Sequence, residues 1–172
     1  MSHYTHFDTE RLQVRPLTEQ DAPGILALNL DPDWKKYIGD RGVFDLASAR
    51  GYIKNGPARM YREFGFGVLA VREAETGEFL GTCGLLKRDN LASPDIGFAF
   101  LPIARGKGYA FEACAGLLHS VRQQAQWPHI EALVTPENAA SIALLKKLGF
   151  QYLKNLPDFD PNKDTDLYRL TL

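Results

Sequence analysis

Between Asp95 and Glu112 the chain reads Asp-Ile-Gly-Phe-Ala-Phe-Leu-Pro-Ile-Ala-Arg-Gly-Lys-Gly-Tyr-Ala-Phe-Glu: an apolar strand, a break at Pro102, a turn through two glycines and a helix. Pro102 cannot donate into a strand ladder, so the strand ends before it. Gly106 and Gly108 carry no Cβ, so the backbone from Arg105 to Ala110 can curl tightly and present a run of N–H groups. The helix that follows adds the positive end of its dipole at the same place. Such a bend is expected to cradle a phosphate. A dinucleotide fingerprint would carry a third glycine, whereas Gly106-x-Gly108-x-x leads to Phe111, and the stretch stands late in the chain. The competing reading of these residues alone is a glycine-rich helix start that binds nothing.

The helix is expected from Tyr109 to about Gln126, with Ala110, Cys114, Leu117, Leu118, Val121 and Ala125 on one side and Gln123 and Gln124 in water. Trp127-Pro128 stops it, and His129 to Thr135 supplies another strand. Strand, helix, strand in that order requires a crossover, so the two strands are predicted to be parallel. On the first of them Ile96, Phe98 and Phe100 alternate with Gly97, Ala99 and Leu101, which predicts one set on each face. A further motif follows at once, from Pro136 to Phe150. Asn138 suits an N-cap, Ile142, Leu145 and Leu148 form a buried stripe, and Gly149 suits a left-handed stop.

Upstream, Phe7 to Leu17 reads as a first strand with Leu12 and Val14 on one face. Thr18 and Asp21 resemble a capping box opening a helix to Leu30, with Ala22, Ile25, Leu26 and Leu30 inward. Asp31 to Phe44 is broken by Pro32, Gly39 and Gly42, yet its Trp34, Tyr37 and Ile38 suit a pocket wall. A second helix begins near Asp45 or Ser48 and is interrupted at Asn55-Gly56-Pro57, after which Arg59 to Glu63 adds a turn. Phe66 to Arg72 and Phe79 to Lys87 read as a hairpin, with Gly81 and Gly84 marking a bulge or a close approach of backbone. Phe150 to Lys154 and Leu167 to Leu172 are the last strands, around an acidic loop from Pro157 to Asp166.

At 172 residues and 45% hydrophobic content, one domain spanning residues 1–172 can bury roughly 70% of its unfolded surface. Twenty basic side chains against twenty-one acidic ones, unsegregated, imply neither a nucleic acid nor a membrane surface as partner. Cys83 and Cys114 stand far from each other and from any histidine at ligand spacing. We therefore expect no metal site and no disulfide framework, but buried apolar thiols in a reducing compartment. Met1 to Arg11 lacks the order of a signal peptide and no run of about 18 apolar residues exists, which points to the cytoplasm. His3 and His6 fall in a terminus expected to be loose, and His119 on a helix flank expected to face solvent.

Arg105-x-x-Gly108-x-Ala110 after a strand, followed by Asn138-x-x-Ser141 and ending in Lys147-Leu148-Gly149-Phe150, resembles the GNAT superfamily of acetyl-CoA-dependent N-acetyltransferases over essentially the whole chain. Leu101 to Ala113 is similar to the branch containing the ribosomal-protein N-terminal alanine acetyltransferases. The resemblance implies an α/β (α+β) fold: a mixed, mostly antiparallel sheet of about seven strands whose central parallel pair splays at the cofactor, flanked by about four helices. It implies acetyl-CoA as co-substrate, a primary amine as acceptor, and a monomer or homodimer. Arg105, Gly106, Lys107, Gly108, Tyr109 and Ala110 would hold the pyrophosphate. Phe98, Ala99 and Phe100 would pair with the pantetheine arm, and Asn138 and Ser141 would lie beside it and the sulfur. Many members carry a tyrosine where this chain has Leu145, so the proton for the thiolate falls to Ser141, and Asp95 stands where the branch often carries an acid and is the candidate base. A coenzyme-A-binding sensor without chemistry is the rival reading, and a nucleotide-dependent oxidoreductase a third.

Overall fold

The apolar alternation of the strands and the stripes of the helices close on one sheet. The computed structural model describes residues 3–172; Met1 and Ser2 lie outside the described residues. Its strands are β1 (Phe7–Asp8), β2 (Leu12–Pro16), β3 (Val68–Glu73), β4 (Phe79–Leu86), β5 (Asp95–Phe100), β6 (His129–Val134), β7 (Gln151–Asn155) and β8 (Asp166–Thr171). They lie in the order β1-β2-β3-β4-β5-β6-β8-β7. Every neighbouring pair is antiparallel except β5 and β6, which run parallel as the crossover requires. The helices are α1 (Ala22–Leu30), α2 (Pro32–Tyr37), α3 (Leu46–Asn55), α4 (Pro57–Phe64), α5 (Tyr109–Gln124) and α6 (Ala139–Lys147).

The counts exceed the expected seven strands and four helices for local reasons. Thr9 turns the first run back on itself, accepting from the Leu12 N–H at 3.1 Å, so that it becomes the hairpin β1–β2. Pro32 and Pro57, read as breaks, each occupy the first turn of a new helix, where a missing N–H costs nothing. Asp45 caps α3 by accepting from the Ser48 N–H at 2.7 Å. Leu30, expected inward, is exposed; Leu28 is buried in its place.

Two apolar clusters cover the two faces of the sheet. On one, α5 lays Cys114, Leu117, Leu118 and Val121 against Leu12, Val14, Leu69, Val71, Leu85, Ile96 and Phe100. On the other, α1 and α3 bring Ile25, Leu28, Ala49 and Ile53 to Ala70, with Ala99 and Leu101 beside them. The alternation expected along β5 therefore holds. Complete burial of a leucine such as Leu117 contributes about 2 kcal/mol. Cys83 and Cys114, distant in sequence, meet across this core with their sulfurs 3.7 Å apart as free thiols. The amino-terminal segment is packed rather than loose: Tyr4 and Thr5 are buried, and the Tyr4 ring lies 5.4 Å from that of Trp127. His6 and His119 are exposed.

Gly81 and Gly84 explain how close β4 lies to its neighbours. A Cβ on Gly81 would stand 2.3 Å from the Ala99 carbonyl oxygen, and one on Gly84 2.2 Å from that of Gly67. The register between β3 and β4 slips beside Gly81, between Val71 and Arg72. Beta4 is thus held flush along β5 over the whole of that strand.

Candidate active site

The site begins where the parallel pair comes apart. β5 and β6 are in register only at Asp95↔Glu131, where the Glu131 N–H donates to the Pro94 oxygen at 3.0 Å. Along β4, pairing runs on without interruption, and the Leu101 N–H donates to the Leu80 oxygen at 2.9 Å. Hydrogen-bonding directions alternate along a strand, so the N–H groups of Ile96, Phe98 and Phe100 face the other edge, toward β6. At Phe98 and Phe100 that edge has no strand opposite it. A cavity of about 820 Å³ opens along it, lined by β5 from Asp95 to Phe100 and by β6 and its continuation from Ala132 to Thr135.

One end of this cavity is the glycine bend. Gly106 and Gly108 have φ of +73° and +79°, a region that side-chain-bearing residues avoid. Gly108 is the N-cap of α5 and no side chain caps it. The first N–H to find a helical partner is that of Glu112, on the Gly108 oxygen at 3.0 Å. The N–H groups of Tyr109, Ala110 and Phe111 are those a helix cannot satisfy internally, and all three residues line the cavity with Arg105, Gly106 and Gly108. Lys107 is exposed and lies off the cavity wall.

Three residues that the sequence did not single out brace this bend. Glu112 accepts from the Thr9 hydroxyl at 2.5 Å and from the Arg11 N–H and Nε at 2.9 and 2.8 Å. Arg11 in turn donates to the Lys107 carbonyl at 2.9 Å and lies over the Tyr109 ring, 4.4 Å from its centroid. Burial pushes the Glu112 carboxyl up, but the bonds from Thr9 and Arg11 outweigh it and hold the group below its usual range. The side chain of Arg105 turns elsewhere, bridging Asp31 and Asp33 at the α1–α2 junction, the latter at 3.0 Å. None of these partners is within sixty residues in sequence, which is why no local motif revealed them.

The second motif forms the opposite wall. Asn138 caps α6 by accepting from the Ser141 N–H at 3.2 Å. Ser141 lines the cavity, and its hydroxyl makes no hydrogen bond among the described residues. Thr135, also on the wall, buries a hydroxyl that has no hydrogen-bond partner among the described residues. Leu145, where the tyrosine of similar proteins would stand, is fully buried at the cavity's edge and offers no proton.

At the apex, where β5 and β6 part, sits Asp95. Its side chain is buried and takes the Arg88 Nε at 3.0 and 3.2 Å. Desolvation pushes its carboxyl up to about 6 although Arg88 pulls the other way, and neighbouring Glu131 adds to the rise. A carboxyl so placed takes up and releases a proton near neutral pH. Beyond it the cavity continues between Trp34, Tyr37, Ile38 and Arg41, Tyr52 of α3, and Phe159, Asp160, Lys163 and Thr165. Of the acidic loop's carboxylates only Asp160 lines the cavity; Asp164 and Asp166 lie off its wall and accept from Asn155 Nδ2, each at 2.9 Å.

Among the described residues no cluster of three or more His, Cys, Asp or Glu could hold a metal ion, and no helix is long and apolar enough to cross a membrane. Residues 11–151 match the family model described as an acetyltransferase (GNAT) domain. The N-acetyltransferase p20 of Bacillus licheniformis is 32% identical over 170 residues, 95% of this chain and 93% of that one. The crystal structure of an acetyltransferase from Agrobacterium tumefaciens superposes with a TM-score of 0.82 at 28% identity, covering 97% of this chain and 94% of that one. Mycobacterium smegmatis RimJ, solved in complex with CoA-disulfide, superposes with a TM-score of 0.79 at 22% identity, covering 93% of this chain and 81% of that one.

Proposed function

The chain belongs to the acetyltransferase (GNAT) family, and on that footing we propose that it transfers an acetyl group from acetyl-CoA directly to a primary amine in a ternary complex. One observation carries the reading: an uncapped helix start and a free strand edge line the same cavity. The first suits a diphosphate, held by the N–H groups of Tyr109 to Phe111. The second suits an amide-bearing arm, which adds to β5 at Phe98 and Phe100 as a strand would. Coenzyme A has both, in that order, with its thiol at the far end; RimJ, with its bound CoA-disulfide, has the same fold.

The chain's own groups then account for the reaction. Asp95, at the apex, accepts a proton from the ammonium form of the acceptor, directly or through water, and leaves a neutral amine to attack the thioester carbonyl. A backbone N–H of the same β5 edge near Phe100, one that the arm leaves unpaired, stabilises the charge that develops on the carbonyl oxygen, a role worth about 3 kcal/mol elsewhere. As the C–S bond breaks, Ser141 gives its hydroxyl proton to the departing sulfur and recovers one, directly or through water, from the nitrogen that has become the amide. Holding both substrates in one cavity supplies the proximity that makes a covalent enzyme intermediate unnecessary.

Acetyl-CoA at about 100 times its dissociation constant adds roughly 2.7 kcal/mol of stability, read as a raised Tm. Gly108→Glu forces a side chain into a left-handed backbone and a carboxylate into the cradle, 3.3 Å from Arg11 at its Cβ; the Tm rise is expected to vanish. A shift that survives in this variant rejects the cradle. Buried Leu145 favours a second reading, a coenzyme-A-binding protein without turnover. Thiol release across a panel of amines and peptide N-termini separates the two.

A further inference from the structure

The acceptor end of the cavity has a charge pattern that the transfer reaction itself does not require. Asp31 and Asp33 are both spent on Arg105. Asp95 is spent on Arg88. Asp160 stands 3.9 Å from Lys163, at the edge of an ion pair. Arg41 also lines the cavity, on the loop between α2 and α3, and has no ion-pair or hydrogen-bond partner among the described residues. Glu137 and Lys147 lie on the α6 side, and Lys147 rests on the Phe111 ring at 4.4 Å. Five basic and five acidic side chains line the whole cavity, but at the acceptor end Arg88 and Lys163 have Asp95 and Asp160 beside them, whereas Arg41 has no carboxylate at ion-pair distance among the described residues.

Lys163 is held in place by the Tyr37 and Ile38 carbonyls, at 3.0 and 3.2 Å, which fixes its ammonium beside the loop that carries Arg41. Burial lowers its pKa and Asp160 raises it, while Arg41 and Arg88 both lower it, so the three cations feel one another across a shared space. Arg41 alone of the three lacks a counter-charge, and an anion seated beside it supplies one. The walls there, Tyr37, Tyr52 and Phe159, suit a short apolar linker.

We propose that the acceptor is a small amine bearing its own anionic group, a carboxylate or a phosphate, seated among Arg41, Arg88 and Lys163 while its nitrogen faces Asp95. The proposal rests on the transferase reading above and narrows it. Arg41 confers the specificity, because Arg88 and Lys163 are already engaged and Arg41 alone of the three is free to close on a ligand.

Matched acceptors test it in a thiol-release assay with acetyl-CoA: amino acids against their carboxamides, aminoalkyl phosphates against the parent amino alcohols, and alanine-first peptides with acidic or neutral second residues. An anionic acceptor is expected to exceed its neutral twin by about ten-fold or more in kcat/KM, the worth of one charge-assisted hydrogen bond. The carboxylate and phosphate arms say which anion is meant. Arg41→Ala is expected to remove that preference through KM with kcat little changed, Arg41→Lys to restore part of it, and neither to alter the Tm shift given by acetyl-CoA. Neutral twins turned over equally well overturn the proposal and leave the transferase intact. Turnover of acidic peptides alone overturns the small-molecule acceptor. Acetyl-CoA binding without thiol release on any acceptor removes the transferase reading, and this inference with it.

Discussion

Asp95 shows how burial can give one residue two consequences. Its folded pKa, about 6, lies above the usual carboxylate value near 3.9. The fold thus favours the protonated form. The associated stability is fully present below about pH 4 and is lost as the pH rises through about 6, by about 3 kcal/mol in all. Stability measured by denaturant between pH 4 and 7 is expected to fall with that slope in the wild type and to be flat in Asp95→Asn. With Asp95 as the base we propose, kcat/KM is expected to rise with pH to a plateau above about 6, and Asp95→Asn is expected to lose the rise along with most of the rate. A rate profile unchanged in the variant assigns the carboxyl to structure only. Nothing local in the sequence foretold the shift: Arg88 is reached through a loop and Glu131 across the sheet.

At the scale of the element, the segment from β5 through α5 was legible because its determinants are local. Proline ends the strand, two glycines supply the positive φ, and the apolar period carries the helix, all within thirty residues. What steadies the bend was not legible, because Thr9 and Arg11 reach Glu112 from about a hundred positions away. Such contacts leave no periodicity to read. Glu112 also sits in the first turn of α5, where its charge meets the helix dipole favourably. Glu112→Gln keeps the volume, weakens the bonds to Arg11 and frees the bend. A loss of about 1–2 kcal/mol is expected, together with a smaller Tm shift on adding acetyl-CoA. Because the Glu112 pKa is depressed, its contribution is present above the ordinary glutamate value and lost as the pH falls through the folded one, so the variant's deficit is expected to shrink in acid. A deficit independent of pH would place the effect in packing. Thr135 and Arg41 were missed for the same reason as Thr9: their neighbours are tertiary, and a lone threonine or arginine in a loop carries no pattern.

Across the whole molecule, the ends of the cavity proposed for cofactor and acceptor are built from different parts of the chain, and one side chain ties them. Arg105 leaves the glycine bend and bridges Asp31 and Asp33, so the start of α2, and with it the wall bearing Trp34 and Tyr37, is anchored to the cradle. Side-chain exposure of 41% at Arg105 keeps the bond to Asp33 modest, but Asp31 is only 10% exposed. A diphosphate arriving at the bend fixes the backbone of residues 105–110 and hence the base of Arg105. Fixing one end of the bridge lowers the entropy cost of holding the other. Amide hydrogen exchange is therefore expected to slow on addition of acetyl-CoA at Phe98, Phe100 and Tyr109 to Phe111, where the ligand touches, and also at residues 32–38, where it does not. In Arg105→Ala the protection at the first set should persist while that at the second disappears. Protection of residues 32–38 that survives the substitution would show that the wall orders through the sheet and the Leu101 and Ala99 packing instead, and the two ends of the cavity would then be coupled by the core rather than by a salt bridge.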